Sequence, residues 1–516
     1  MARGPEVVPV RETSSRKIER PSRRHPTELV FAFCAVVLLF GILQFRTPDI
    51  CCGDFDGYYH ITWSRTLWEG LKAAHLPQFR SLPLTTLRPD NYADQHFLFH
   101  ALLVPFTWFG SLPTGAKVGA VVFGSFAIIS CFWLVWRYRI RYAPLWLLAL
   151  LASSSLFLER MSMTRAQSLS LVFIVAGIAL LWERKYRWLP LAGSLYIWTY
   201  NLFVVLGVMV VIWTAIEWTV ERRLDWRPIG WTCVGFVAGF AVNPYFPRNL
   251  RLFWENATAK IAFRPGGGSE WSALPSSELL SSCFVAFTAM LIGYVAFGAL
   301  LGRVDQSRRR RPLFLLILST LLLIATAHSK RFTEYWPPMA VLFAAFTLQE
   351  LWAAGERSGN EMRRSRGLLA TVTLVLLAVL LYQVHMASLE MQSPIPPDQY
   401  RAGAEWIRAH APAGEIVYNV NWDDFPKLFY YDPSRPYVSG LDPVYLSDAN
   451  PELGHQYEQI AEGQVESPGT VIRSKFGARY VFASKPFARA FYLRAEFSGE
   501  LEKVYEDQQC VIFQVK

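Results

Sequence analysis

Two carboxylates one residue apart, Asp54 and Asp56, open the most chemically suggestive stretch of this chain, "DFDGYYHITWSRTLWEG" at residues 54–70. Side chains at i and i+2 diverge on a helix but converge in a turn, and Gly53 and Gly57 permit one. Hard oxygen donors of this kind suit Mg²⁺ or Mn²⁺, so Asp54 and Asp56 are candidate metal ligands. A carboxylate is also a base toward an acceptor hydroxyl or amide. The competing reading is that Asp56 only caps the aromatic-rich helix that follows. His60 in the same stretch is a further polar candidate.

The segment "RPDNYADQHFLFH" (88–100) supplies Asp90 and Asp94 as second acidic candidates. A helix running from Asp94 would stack His96 and His100 at i, i+4, either as metal ligands or as histidines at head-group level. Cations form the third group: Arg160 and Arg165 in "ERMSMTR" (159–165), and Lys330 and Arg331 in "HSKRFTEYWPP" (328–338), with Glu334 a turn later. Arginine matches phosphate oxygens in bidentate geometry, so these four residues are candidates for a donor phosphate; snorkelling to lipid head groups is the alternative. The stretch 243–271 adds Arg248, Arg251 and Arg264, with a Gly triplet that would let a lid close.

What must position these groups is a membrane domain. The chain has 516 residues, 52% hydrophobic and only 18% charged, and its apolar residues come in blocks. Several blocks approach the roughly 20 residues that cross a bilayer core. The net charge of +10 sits in short Arg/Lys clusters between the blocks, at 137–142, 183–187, 221–227, 303–311 and 362–366. That is the positive-inside pattern and not a nucleic-acid footprint. The seven cysteines are scattered without metal spacing. Residues 1–27, with seven Lys/Arg, lead into a retained first span and not into a cleaved signal.

Candidate spans are 28–45, 117–136, 143–159, 166–183, 189–200, 202–219, 229–245, 279–301, 312–328, 335–353 and 367–387, about eleven in all. The segment 96–110 then reads as a juxtamembrane or re-entrant helix. The reading is a polytopic α-helical membrane protein in three parts. A cytoplasmic basic tail (1–27) precedes a transmembrane domain (28–387) with an outer loop 46–116, and an outer-facing soluble α/β domain (388–516) follows. In the last part a helix pattern at 400–411 precedes strand-like runs "EIVYNV", "ARYVFAS", "LEKVYE" and "CVIFQV".

"DFDGYYHIT" resembles the first-loop acidic motif of oligosaccharyltransferase catalytic subunits, and the whole order of segments resembles the GT-C superfamily of polyprenyl-phosphate-dependent glycosyltransferases. "AEWIRAHAPAGEIVYNVNWDDFPKLFYY" is similar to the stretch leading into that family's WWDYG signature. Here Asn421-Trp422-Asp423-Asp424-Phe425 stands in its place, which makes Asp423 and Asp424 polar candidates. The resemblance implies that Asp56 contacts metal or acceptor, with Asp54 its neighbour and a divalent cation (Mg²⁺ or Mn²⁺) possible. It further implies a polyprenyl-linked sugar donor and a lipid, glycan or protein acceptor at the outer face of a bilayer; with no obvious organelle signal in the sequence, a bacterial inner membrane is the default expectation. En bloc glycan transfer to protein, or non-enzymatic transport of a lipid-linked sugar, are the alternatives.

Overall fold

In the computed structural model of the chain, residues 26–50, 55–261, 269–357, 366–392 and 396–516 are described. Each expected apolar run is helical. Five helices are long and apolar enough to cross a membrane by themselves: α1 (Thr27–Arg46), α4 (Leu112–Arg137), α9 (Val204–Glu221, with the turn from Asn201), α14 (Gln306–His328) and α16 (Arg366–Glu390, apolar from Gly367). Two bent pairs raise the number to seven by length and composition: α5 (Ala143–Leu151) with α6 (Ser155–Ser162), and α12 (Ser276–Ser282) with α13 (Phe284–Leu300). The chain is a multi-pass membrane protein. The remaining expected spans form shorter or more polar helices: α7 (Gln167–Trp182), α8 (Leu189–Thr199), α10 (Arg227–Ala241) and α15 (Trp336–Arg357).

Small residues let these helices meet closely, as packing in lipid favours. A Cβ at Gly235 of α10 would lie 2.6 Å from Pro190 Cα of α8, so only glycine fits that crossing. The basic clusters at 137–142, 183–187, 221–227 and 303–311 gather at one end of the bundle. Arg137 pairs with Glu183 at 3.0 Å, Arg184 pairs with Glu217 and Glu221, and Arg310 reaches Glu217 at 2.8 Å. Arg311 lies over the Tyr138 ring at 4.3 Å. From that end α7, α9 and α14 run to Arg165, Tyr200 and Lys330 respectively. The 23 residues of α14 span about 34 Å, enough for the ~30 Å hydrocarbon core.

Two segments differ from the sequence reading. The expected outer loop at 159–165 is mostly helix: Ser154 Oγ accepts from Phe157 N at 3.2 Å, starting α6 at 79° to α5. The 96–110 segment does not begin as a helix at Asp94. Helix α3 (Phe97–Leu103) starts after His96 and gives way to a 3₁₀ turn around Pro105.

The C-terminal part contains a four-stranded sheet, β1 (Val417–Asn419), β2 (Tyr480–Ser484), β3 (Leu501–Glu506) and β4 (Cys510–Val515), in the order β1-β2-β4-β3. Only β1 and β2 are parallel. Strand alternation sends Phe482, Cys510 and Ile512 to one face and Val481, Val511 and Phe513 to the other. The first face is covered by α17 (Arg401–His410), and by α18 (Phe425–Tyr431) packed on α2 (Asp56–Lys72). Phe55, Tyr59, Trp63, Phe79 and Tyr92 thus share one core with Tyr400, Phe425, Phe429 and Tyr437.

Candidate active site

A cavity of about 880 Å³ opens where α2, α6, α9 and the 330–334 turn meet the C-terminal part. Asp56, the first residue of α2, lines it; Phe55 holds the N-cap position, so Asp56 stands inside the first turn of the helix and not ahead of it. Gly57 is inside the helix and not in a turn. A Cβ there would lie 2.7 Å from Ile50 Cγ2, so close packing dictates the glycine. Asp54 and Gly53 lie outside the described residues, as do Arg264 and the Gly triplet.

Opposite Asp56 stands an arginine cluster. Arg165 reaches Asp56 Oδ2 at 2.9 Å and also pairs with Glu270. Arg160 donates to Glu270 at 2.9 Å and holds the buried Glu334. Arg331 donates to Tyr200 Oη at 2.6 and 2.9 Å, lies 3.7 Å from Glu270, and stacks on Trp271 at 4.9 Å. Burial alone would raise the Glu270 carboxyl, but Arg165, Arg160 and Arg331 outweigh it and hold the group well below the usual carboxylate range. Glu270 is the organising anion that the sequence reading missed.

Lys330 opens the short turn between α14 and α15. Its N–H donates to Ser272 O at 3.0 Å, and Ser329 Oγ donates to Glu270 O at 3.0 Å, which ties the turn to the Glu270 segment. Lys330 lines the cavity, and among the described residues its ammonium has no hydrogen-bond or ion-pair partner.

The other candidates separate. Asp94 lines the cavity but accepts from Trp63 Nε1 at 3.0 Å, His96 N at 2.9 Å and His100 Nδ1 at 2.7 Å. Asp90 is exposed on the loop, paired with Arg88 at 3.1 Å, and does not reach the cavity. His96 turns to Thr199 O at 3.0 Å while His100 turns to Asp94, so the two do not form an i, i+4 metal pair. Burial, with His100 beside it, pushes His96 down to about 4. Asp423, Asn421 and Trp422 line the cavity from the C-terminal side, joined by Tyr445 and Phe487. Asp424 instead faces the interior of that part. It accepts from Tyr400 Oη at 2.8 Å and Asn421 Nδ2 at 3.2 Å, and burial pushes it up to about 7. Glu334 is spent on Arg160 and does not reach the cavity.

Among the described residues the donor set does not fit a divalent cation. No three ligating side chains converge among the described residues. The carboxylate of Asp56 faces a guanidinium, and Glu270 faces three. Positive charge at this site is already supplied by side chains.

No family model matches the chain, and no curated protein matches it in sequence. Solved structures do match its fold. The oligosaccharyltransferase AglB of Archaeoglobus fulgidus, solved with an inhibitory peptide and a dolichol-phosphate, superposes with a TM-score of 0.63 at 12% identity over 92% of this chain and 73% of that one. ArnT of Cupriavidus metallidurans, bound to undecaprenyl phosphate, gives 0.56 at 13% identity over 95% and 98%. The arabinofuranosyltransferase AftD from Mycobacteria gives 0.54 at 16% identity over 96% and 40%. All three are glycosyltransferases of the GT-C type, and this chain has their fold.

Proposed function

We propose that this protein is a membrane glycosyltransferase that moves a sugar from a polyprenyl-phosphate-linked donor to an acceptor at the membrane surface. The observation that carries the reading is the presence across one cavity of a carboxylate, Asp56, and an ammonium, Lys330, that among the described residues makes no hydrogen bond or close ion pair. The donor phosphate binds Lys330 and Arg331. The sugar's anomeric carbon then meets an acceptor oriented by Asp56, and the sugar–phosphate bond breaks with its electron pair leaving on the phosphate. Fixed cations at that point stabilise the developing charge without reorganising, usually the largest catalytic term. Arg160 and Arg165 each hydrogen-bond two carboxylates and serve to place Asp56 and Glu270; Arg331, at the longer distance of 3.7 Å from Glu270, and Lys330 are left to the phosphate.

The acceptor enters from the C-terminal side, past Trp422, Asp423 and Phe487. Asp424 is turned inward, so the residues in the place of the WWDYG signature offer one carboxylate and one indole to the cavity. This favours transfer of a sugar to a lipid, glycan or protein hydroxyl over en bloc transfer to Asn. The basic clusters at the far ends of α7, α9 and α14 support a non-cytoplasmic site by the positive-inside rule.

The test is transfer of a labelled sugar from polyprenyl-phosphate donors by purified protein, wild type against Asp56→Asn at equal expression. Undiminished activity in Asp56→Asn removes Asp56 from the mechanism. Wild-type protein that flips the lipid-linked sugar without transferring it establishes a transporter instead.

A further inference from the structure

Beneath the cavity wall lies a hydrogen-bonded file of three buried groups that the reading above does not use. Asp94 Oδ2 stands 2.7 Å from His100 Nδ1, and His100 Nε2 stands 2.8 Å from His60 Nδ1. Asp94, His100 and His60 are 3%, 0% and 6% exposed. The carboxylate is anchored by Trp63 Nε1–H and His96 N–H, both pure donors. That arrangement belongs to an ionised Asp94, which places the shared proton on His100 Nδ1. His100 Nε2 is then an acceptor, and the proton between the rings belongs to His60 Nδ1. By elimination His60 Nε2 keeps its lone pair. His60 lines the cavity one turn beyond Asp56 on α2.

We propose that His60 Nε2 takes the proton of the acceptor during sugar transfer, and that His60 Nδ1 hands its own proton to His100, where Asp94 holds the resulting charge. The inference rests on the glycosyl-transfer reading. The balance is complete: the acceptor oxygen forms the new bond to the anomeric carbon, and the sugar–phosphate bond breaks onto the phosphate. The acceptor O–H proton ends as His60 Nε2–H, and His100 becomes an imidazolium 2.7 Å from a carboxylate. His60 is the catalytic base; His100 and Asp94 are positioning residues.

The surroundings explain why a relay is needed. Burial, His100, His96 and Arg165 all disfavour a positive charge on His60 and hold it well below the ordinary histidine value. Tyr59 and Phe99 complete the shell as ring contacts with centroids 5.3 and 5.2 Å away. A charge left on His60 would face Arg165 from α2's own side of the cavity. Moved one ring inward, it meets the Asp94 carboxylate instead. Asp56 lacks this outlet because Arg165 already occupies Oδ2. Asp56 orients the acceptor, and His60 accepts its proton.

The test compares wild type, His60→Gln, His60→Ala and Asp94→Asn in the labelled transfer assay across pH. General-base catalysis contributes on the order of 10²-fold or more. His60→Gln and Asp94→Asn are therefore expected to lower kcat by about 10²-fold, with donor KM unchanged and the acidic limb of the pH–rate profile displaced. Imidazole added to His60→Ala is expected to restore part of kcat in proportion to its free-base form. In wild-type protein, ¹⁵N-histidine NMR at neutral pH is expected to show His60 Nε2 unprotonated, a readout that needs no variant to fold. A His60→Gln enzyme with wild-type kcat and pH profile, or a protonated His60 Nε2, overturns the relay while the transfer reading stands. Absence of transfer by wild type overturns both.

Discussion

Lys427 Nζ lies 3.2 Å from Asp49 Oδ2, with the two side chains 0% and 4% exposed and 378 residues apart in sequence. The lysine also donates to Pro396 O and Pro397 O and lies over the rings of Phe55 and Tyr58. Asp49 accepts from Ile50 N and the Tyr58 hydroxyl. This pair joins the segment that precedes the active-site helix to the C-terminal part, and it fixes α2 from outside the bundle.

Breaking it from one side leaves a buried charge without its partner, which costs about 3–5 kcal/mol. Lys427→Met is expected to lower the thermal midpoint and make the C-terminal part releasable by limited proteolysis. Lys427→Met with Asp49→Leu is expected to recover much of the loss, because the desolvation penalty leaves with both charges. Equal stability in the single and double variants would contradict this account.

Arg165 bridges Asp56 and Glu270, a task its planar fork performs and a lysine ammonium does not. Arg165→Lys and Arg165→Met are both expected to lower kcat by about 10²-fold, the usual cost of one preorganised electrostatic group. Because the carboxylates face guanidinium groups, transfer is expected to survive dialysis against EDTA; activity that returns only with added Mg²⁺ or Mn²⁺ would contradict the assignment.

Lys330→Met removes the one cavity cation assigned solely to the donor. A charge-assisted hydrogen bond is worth about 1.5–3 kcal/mol, so donor KM is expected to rise by about 10- to 100-fold. The effect should be smaller on the binding of an unreactive analogue lacking the phosphate, as its inhibition constants against wild type and variant would show.

Asp424 carries a pH signature. Burial raises its folded-state value to about 7, above the unfolded carboxyl. Between about pH 4 and 7 the folded chain therefore binds the extra proton. Its contribution to stability is complete below that window and lost as pH rises through it. Asp424→Asn is expected to flatten this slope, seen as a wild-type-minus-variant difference in thermal midpoint that shrinks or reverses from pH 5 to 8.

The bundle was readable because hydropathy and basic clusters are local signals, and each apolar run became a helix. The four strands at 417–419, 480–484, 501–506 and 510–515 were legible as short runs rich in β-branched and aromatic residues, a signal also carried within a few residues. The bend at 152–154 hid inside an apolar run; the Ser153-Ser154-Ser155 triplet was its only local mark, and Ser154 is the cap. Glu270 stayed invisible because its arginine partners Arg165 and Arg160 lie 105 and 110 residues away, and Arg331 is equally remote from any local pattern. His60 and His100 are 40 residues apart, and their contact exists only because α3 packs on α2.

The shared core of α2 with Tyr400, Phe425, Phe429 and Tyr437 has a consequence for biosynthesis. A ribosome delivers Asp56 and His60 early, yet the aromatic surface that seats their helix arrives only with the last quarter of the chain. Until then α2 rests on α3, the 3₁₀ turn that follows it and α4, and a truncated or stalled nascent chain carries Asp56 and His60 without the C-terminal wall of the cavity. The cavity is thereby closed only after residues 400–445 have been made.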